Sequence, residues 1–242
     1  MEDVDAPPTT LARARDAHGE VVLRCRPPAT YELVVNGVFA MDTVDVGTEE
    51  LLATLALDRV AAHAGPAGDG GRTVLVGGLG LGFTTRRVLA DPHVTSVVVA
   101  ELHGPLVEWT RAGLVPPAAG LLDDPRVQVV VADVRDVVTG TPPGSLDAVL
   151  LDVDNGPDFL VHDANDALYD APFLRLAATR LRAGGVLAVW SASPSPRVRA
   201  ALEDVLGSCD EVLHLVEREG RAFTYALYLA PAPAPAGPTP GA

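Results

Sequence analysis

The chain has 242 residues, of which 48% are hydrophobic, and its formal net charge at pH 7 is −14. A chain of this length and apolar content can bury one large core, or one core with a small accessory lobe, so we expect one or two domains. The acidic balance disfavours nucleic acid as a partner, because a phosphate backbone would be repelled, and it favours a cationic small substrate.

Metal, disulfide and membrane chemistry have little support in the sequence. The two cysteines, Cys25 and Cys209, lie far apart, and the six histidines show no metal spacing. We therefore predict structural thiols, no disulfide framework and no metal site. The N-terminus lacks an apolar leader, and no apolar run approaches the roughly 18 residues of a membrane span. We expect a cytoplasmic protein with no membrane partner.

The two ends of the chain are expected to differ from its middle. Residues 1–18 are polar and residues 231–242 are rich in proline and alanine, and since neither segment offers much apolar surface to bury, both are predicted to be disordered. Residues 19–64 are predicted to form a small β lobe of short strands with a helix at its end. Asn36 and Gly37 lie between two of these strands and give the strongest two-residue hairpin signal.

Residues 72–230 alternate apolar, β-branched runs with helical segments. Strand runs without polar alternation are typical of parallel strands that are covered on both faces. Two final strand runs, EVLHLVE and AFTYALYLA, are predicted to add an antiparallel hairpin at the edge of the sheet. The predicted fold class is therefore α/β, with an open and mostly parallel sheet preceded by a small β lobe.

Glycines and acids follow the first three strands of this predicted sheet. Gly78, Gly80 and Gly82 follow the first strand, Glu101 ends the second and Asp133 follows the third. Glycines let a ligand approach the backbone, an acid at the second strand end can bind both hydroxyls of a ribose, and Asp133 could accept an adenine amino hydrogen. Together these residues predict a site for an adenosine-containing ligand. A tight turn with solvated, helix-capping acids is the alternative interpretation of each.

The stretch LLDVDNGPDF begins with the last two residues of the fourth strand, and Asp152 is the first acidic residue after them. The strand could simply end in a turn there. Alternatively, the carboxylate would stand beside the ligand, on the side where a transferred group should lie. His162, a few residues later, is a further candidate base.

Six stretches together resemble the spermidine synthase-like proteins, a branch of the S-adenosylmethionine-dependent methyltransferase fold, over about residues 31–229. They are LVVNGVF, VGGLGLG, VVVAEL, DDPRVQVVVADVRD, LDAVLLDVDNGP and ALYDAPFLRLAATRLRAGGVLAV. The resemblance implies a Rossmann-like class I methyltransferase sheet, with a nucleoside-binding catalytic domain over residues 72–230. It also implies S-adenosylmethionine or its decarboxylated form as co-substrate, no metal, a small amine acceptor and a homodimer.

The resemblance also implies roles for single residues. Asp152 would be the base that orients the acceptor amine and takes its proton, and burial would have to raise the pKa of its carboxyl from about 4 to make it a good base. The acceptor-site candidates are Glu50, Asp154, Asn155 and Tyr169. Three family features are absent. The Tyr-His-Glu run of the family's acceptor site is replaced by Thr48-Glu49-Glu50, and the family's glutamine after the hairpin is replaced by the apolar Ala40 or Met41. The glycine loop lacks the family's aspartate.

The sequence thus predicts group transfer from a sulfonium nucleoside, either aminopropyl transfer to a small amine or methyl transfer to a small acceptor. A nicotinamide-dependent oxidoreductase would also use the glycine loop and Glu101, but the order of the later segments and the terminal hairpin argue against it. A catalytically silent nucleoside-binding protein is the third alternative, because some family residues are missing.

Overall fold

The N-terminal part of the chain is a four-stranded antiparallel sheet. The structure, a computed structural model, describes residues 7–64, 71–153, 155–156, 160, 162–218 and 221–233. The strands of this small sheet follow one another in space as β1 (Thr9–Asp16), β2 (Gly19–Arg26), β3 (Thr30–Val35) and β4 (Val38–Asp42). Asn36 and Gly37 join β3 to β4 with positive φ angles of 52° and 79°, as a two-residue hairpin turn requires.

Strand β1 corrects the expectation that the first 18 residues are disordered. It pairs with β2 almost from end to end, and Ala12, Ala14 and Asp16 are half-buried while the residues between them are exposed. This alternation suits a strand with one covered face, but two alanines among arginines and threonines give a weak apolar signal. At the other end of the chain, residues 234–242 of the predicted disordered tail lie outside the described residues.

A seven-stranded sheet forms the body of the protein. Its strands are β5 (Arg72–Gly77), β6 (Val94–Glu101), β7 (Val127–Val131), β8 (Leu146–Leu151), β9 (Leu181–Ser191), β10 (Asp210–Arg218) and β11 (Arg221–Pro231). The order is β10-β11-β9-β8-β5-β6-β7. Strands β5 to β9 are parallel, and β10 with β11 forms the predicted antiparallel hairpin at one edge.

Helices cover both faces of the large sheet. They are α1 (Gly47–Ala64), α2 (Phe83–Leu89), α3 (Gly104–Arg111), α4 (Val134–Gly140), α5 (Ala171–Arg180) and α6 (Pro196–Leu206), with short 3₁₀ helices at Pro116–Ala118, Leu121–Asp123 and Asp163–Tyr169. Within β5, Val74 and Val76 belong to one core and Leu75 to the other. Burial of both faces explains why the strands have unbroken apolar sequences. Within the described ranges, no helix combines the length and the apolar character needed to cross a membrane.

Helix α1 packs on the large sheet, against β8, β9 and β11, although its sequence position groups it with the small lobe. Its buried side chains recur at helical spacing and belong to the same core as residues of β5 and β8. They are Leu52, Ala53, Ala56, Leu57 and Val60. The helix therefore links the two sheets, with its first turn at the edge where the parallel strands end.

The core under α5 provides a test of this arrangement. Leu174 lies on α5 and is fully buried, so Leu174→Ala should lower the free energy of unfolding by about 2–5 kcal/mol through lost burial and a residual cavity. Leu213 on the edge strand β10 is 54% exposed. Leu213→Ala should therefore change the free energy of unfolding by less than about 0.5 kcal/mol. Urea unfolding of both variants measures the difference, and equal effects would contradict the assignment of this core.

Candidate active site

A pocket opens at the carboxyl ends of the parallel strands, where β5 lies between β6 and β8. The chain runs from β5 to β6 on one side and reaches β8 on the other, so this is the switch point at which ligands bind in open α/β sheets. Residues of β3 and β4 form the opposite wall, and the first turn of α1 closes one end. The wall from the small sheet is apolar, and its members are Leu33, Val35, Ala40 and Met41.

The glycine loop after β5 fits closely against its neighbours. Gly78 has a φ of +87°, and a Cβ atom there would lie 2.2 Å from the backbone oxygen of Asp152. Only glycine satisfies both conditions, which lets the loop lie against the end of β8. A Cβ atom on Gly80 would lie 2.7 Å from the sulfur of Met41. Gly78 and Gly80 line the pocket, whereas the Cα of Gly82 faces Ala118 instead.

Glu101 lies at the end of β6 and is 6% exposed. Its Oε2 accepts a hydrogen bond from the backbone N–H of Leu79 at 2.8 Å, and its Oε1 accepts one from the N–H of His103 at 2.8 Å. Burial raises the pKa of the Glu101 carboxyl, although these two hydrogen bonds oppose the shift. Each carboxylate oxygen has a second lone pair, so Glu101 can still accept hydrogen bonds from two vicinal hydroxyls.

Asp133 follows β7 and lines the pocket, but its carboxylate has a partner that the sequence did not predict. The backbone N–H of Arg135 donates to Oδ1, and the guanidinium of Arg135 bonds both carboxylate oxygens. Burial acts to raise the pKa of Asp133, but the bonds from Arg135 outweigh it and hold the pKa below its ordinary value. The carboxylate is therefore fixed and charged at the far side of the pocket.

Asp152 lies directly after β8, and its backbone N–H donates to the carbonyl of Gly77 at 3.0 Å. Its Oδ2 accepts a 2.5 Å hydrogen bond from the hydroxyl of Thr84. Burial raises the pKa of the Asp152 carboxyl to about 6, against the opposing effect of the Thr84 hydrogen bond. The carboxyl that the sequence singled out is thus held in the pocket and takes up a proton near neutral pH.

Glu49, in the first turn of α1, brings a second carboxyl to Asp152. It is 7% exposed, and the hydroxyl of Thr48 donates to its Oε2 at 2.8 Å. Burial and then the neighbouring charge of Asp152 raise the pKa of Glu49 to about 7. We call these two residues the Glu49–Asp152 pair.

The sequence assigned the neighbouring Glu50 to the acceptor site, and the structure corrects that assignment, because Glu50 is exposed and Glu49 lines the pocket. The helical stripe of α1 contained the missing signal. Glu49 precedes the buried Leu52 and Ala53 by three and four residues, which places all three on one face of a helix.

The other acceptor-site candidates have different positions. Asn155 lines the pocket, and its Nδ2 donates to the backbone oxygen of Phe39 on β4 at 3.1 Å. Tyr169 is fully buried, and its hydroxyl donates to the backbone oxygen of Val153 at 2.9 Å, so it supports the chain after Asp152 from behind. Asp154 lies outside the described residues.

Two imidazoles also line the pocket, those of His103 and His162. His162 was a candidate base, whereas His103 gave no signal beyond its place two residues after Glu101. In the part of the chain that the structure describes, no group of three or more histidine, cysteine, aspartate or glutamate residues is arranged to hold a metal ion.

The raised pKa of Glu49 predicts a pH dependence of stability. The folded state holds a proton on this carboxyl up to about pH 7, whereas the ordinary pKa is 4.5. Between these values the folded state binds more protons than the unfolded state, so the free energy of unfolding should fall as pH rises. We expect Glu49→Gln to remove this loss and to be roughly 1–3 kcal/mol more stable than the wild type at pH 8.

Urea unfolding at pH 5 and pH 8 measures this effect, with Glu50→Gln as the matched control on the exposed side of the same helix turn. If Glu49→Gln and Glu50→Gln lose stability equally between the two pH values, Glu49 is not the group responsible.

Comparisons with known proteins place this site in a family. Residues 53–217 match the family described as spermine/spermidine synthase domain. The chain is 39% identical over 128 residues to a polyamine aminopropyltransferase of Mycobacterium tuberculosis, covering 52% of this chain and 24% of that protein. It is 29% identical over 143 residues to putrescine N-methyltransferase 1 of Nicotiana tabacum, covering 58% of this chain and 36% of that protein. The chain thus spans about a quarter to a third of the length of these relatives.

The fold is also that of solved spermidine synthases. A spermidine synthase from Thermotoga maritima superposes with a TM-score of 0.71 at 17% identity, over 92% of this chain and 72% of that one. A spermidine synthase in complex with the transition state analogue AdoDATO gives a TM-score of 0.73 at 19% identity, over 92% and 73% of the two chains. These likenesses confirm the predicted Rossmann-like α/β fold with its N-terminal β lobe. Because the family match covers more than half of the chain, the protein belongs to the spermine/spermidine synthase family.

Proposed function

We propose that the protein transfers an aminopropyl group from decarboxylated S-adenosylmethionine to a small amine, with Asp152 as the base. The observation that carries this proposal is the Glu49–Asp152 pair, one buried and one partly buried carboxyl with raised pKa values at the strand end beside the glycine loop. Family membership and the names of the relatives support the same reaction class.

The nucleoside would lie along the ends of β5, β6 and β7. Glu101 has unused lone pairs for the two ribose hydroxyls, and Gly78 and Gly80 leave the backbone open to close approach. Asp133 would lie at the adenine end of the ligand, with both of its carboxylate oxygens held by Arg135. With the ribose bound at Glu101 on β6, the sulfur side of the nucleoside would point across β5 toward Asp152 on β8.

The transfer needs a neutral amine, because an ammonium has no lone pair with which to attack. Asp152 would hold the ammonium of the acceptor and accept one of its protons. The amine lone pair then forms a bond to the carbon next to the sulfonium sulfur, the carbon–sulfur bond breaks, and its electron pair leaves with the sulfur as neutral methylthioadenosine. A carboxyl whose pKa is raised to about 6 is a better base for this step than one at its ordinary value.

The Glu49–Asp152 pair also favours a cationic acceptor. Two carboxylates buried side by side repel each other and resist ionisation, so an ammonium between them would stabilise the charged forms of both. Beyond the pair the wall is apolar, with Leu33 and Val35 from β3 and Trp190 from β9. We propose that the acceptor is a small molecule that carries at least one amine. The predicted homodimer and cytoplasmic location remain predictions.

Methyl transfer from S-adenosylmethionine is the second candidate, for two reasons. One relative is named as a putrescine N-methyltransferase, so the family hosts both kinds of transfer. In addition, the side chain beside the glycine loop is the apolar Met41, whose sulfur accepts a hydrogen bond from the N–H of Leu81 at 3.3 Å, and a thioether offers no charge to the amine end of the donor.

Calorimetric titration and product analysis test these proposals. We expect the protein to bind methylthioadenosine and one of the two sulfonium donors but not NAD. Mass spectrometry after incubation with an amine panel should reveal methylthioadenosine for aminopropyl transfer, or S-adenosylhomocysteine for methyl transfer. Binding of NAD in place of the nucleosides would contradict the proposal, and binding without turnover of any amine would indicate a catalytically silent protein.

The role of Asp152 predicts the behaviour of Asp152→Asn. The amide keeps the shape of the side chain but cannot take a proton, so kcat should fall by about 100-fold or more, with donor affinity nearly unchanged. Asp166→Asn is the control, because Asp166 is exposed and pairs with Arg197 on α6. Unchanged turnover in Asp152→Asn would exclude Asp152 as the base.

A further inference from the structure

Four side chains from separate parts of the chain form one line of hydrogen bonds at the nucleoside end of the pocket. Asp16 ends β1, and His103 follows β6. His162 directly precedes the 3₁₀ helix Asp163–Tyr169, and Asn36 lies in the turn between β3 and β4. His103 Nδ1 is 3.0 Å from Asp16 Oδ2, the two Nε2 atoms of His103 and His162 are 3.2 Å apart, and His162 Nδ1 is 3.4 Å from Asn36 Nδ2. We call this line the imidazole chain.

The position of Asn36 sets the direction of the imidazole chain. Asn36 Oδ1 accepts a 2.9 Å hydrogen bond from the N–H of Glu20, so its amide nitrogen faces His162 as a donor. His162 Nδ1 is then an acceptor, its proton lies on Nε2, and this proton is donated to His103 Nε2. The remaining proton of His103, on Nδ1, is donated to Asp16. Every contact has one donor and one acceptor when both imidazoles are neutral.

The imidazole chain connects directly to the nucleoside site. His103 is 5% exposed, and its backbone N–H holds Oε1 of Glu101. The imidazoles of His103 and His162 both line the pocket, one from the β6 side and the other from the β8 side. Asp16 and Asn36 belong to the small sheet. The imidazole chain therefore joins the β6 side, the β8 side and the small-sheet wall of the pocket around the carboxyl proposed to bind the ribose.

We infer that His103 and His162 are positioning residues that, as a neutral hydrogen-bonded pair, hold the nucleoside end of the pocket in its binding form. This inference rests on the proposed nucleoside ligand. A proton added to His103 would leave one contact with two donors and no acceptor, whichever tautomer His162 adopts. Nucleoside affinity should therefore be lower in acid than at neutral pH.

Other ionisable groups face the pair and belong to this balance. Asp16 and Glu101 both bond to His103, one through the ring and one through the backbone. The ring of His18, on the turn after β1, packs edge-on against His103 with the centroids 6.3 Å apart, and it also lies near Asp133. None of these three groups lies in the contact between the two Nε2 atoms, which joins the two imidazoles directly.

Two substitutions of His162 separate the bond from its pH dependence. His162→Ala removes the bond. In His162→Gln the amide can donate to neutral His103 and can turn to accept from protonated His103, so the bond survives in both forms. His93→Gln is the control, because His93 is exposed in the turn before β6. The probe is methylthioadenosine, which is uncharged at the sulfur, titrated calorimetrically at pH 7.5 and pH 5.5.

We expect the wild type and His93→Gln to bind methylthioadenosine about tenfold more weakly at pH 5.5 than at pH 7.5. His162→Ala should bind about tenfold more weakly than the wild type at pH 7.5, whereas His162→Gln should stay within about threefold of it and lose most of the pH dependence. The Glu49–Asp152 pair is present in every variant, so its titration cancels from the comparison.

The inference is overturned if His162→Ala binds as tightly as the wild type at pH 7.5, or if His162→Gln weakens in acid as much as the wild type does. In either case the proposed function stands, because the wild type binds the nucleoside. If the wild type binds no methylthioadenosine at either pH, the proposed function fails and the inference fails with it. Should His162→Ala not fold, the two pH values measured on His162→Gln decide the question alone.

Discussion

The contact between the glycine loop and the chain after β8 is the constraint on which the rest of the site depends. Gly78 has no side chain, so the loop can lie against the backbone of Asp152, and the N–H of Asp152 can bond to the carbonyl of Gly77. On the other side, the N–H of Gly78 bonds to Ala100 and the N–H of Leu79 bonds to Glu101. One loop thereby fixes two carboxyls on opposite sides of β5, and a side chain at Gly78 would separate them.

This geometry places carboxyls where water solvates them poorly, and the pocket therefore has more negative than positive groups. Among the pocket-lining residues that the structure describes, none is an arginine or a lysine, so the carboxyls of Glu49 and Asp152 have no basic side chain of the pocket beside them. The buried acids differ in this respect from Asp133, which Arg135 already neutralises. A cation would therefore be attracted more strongly to the Glu49–Asp152 pair than to Asp133, which would help to orient a molecule that is cationic at one end and a nucleoside at the other.

The strand ends were predictable from the sequence because each group follows an apolar run that can only be a buried strand. Gly78, Gly80, Glu101, Asp133 and Asp152 were found in this way and line the pocket. Gly82 was predicted on the same ground but packs against Ala118. Residues that reach the pocket from elsewhere were missed, because their positions depend on packing between distant segments. The sequence assigned Glu50, one position further along α1, in place of Glu49, and His103 depends on β1 for its partner. The contact of Asp133 with Arg135 is instead local, because Asp133 caps the start of α4, and it was overlooked.

Helix α1 holds Glu49 in place independently of the strands that shape the opposite wall of the pocket. Its body is anchored in the core of the large sheet, and its first turn supplies Glu49. The wall that would face the proposed acceptor instead comes from the short strands β3 and β4, through Leu33, Val35 and Ala40. Substitutions on those strands can therefore reshape the acceptor space while both carboxyls keep their positions. Under the proposed function, a chain built this way could exchange one amine acceptor for another over evolutionary time while the Glu49–Asp152 pair stays unchanged.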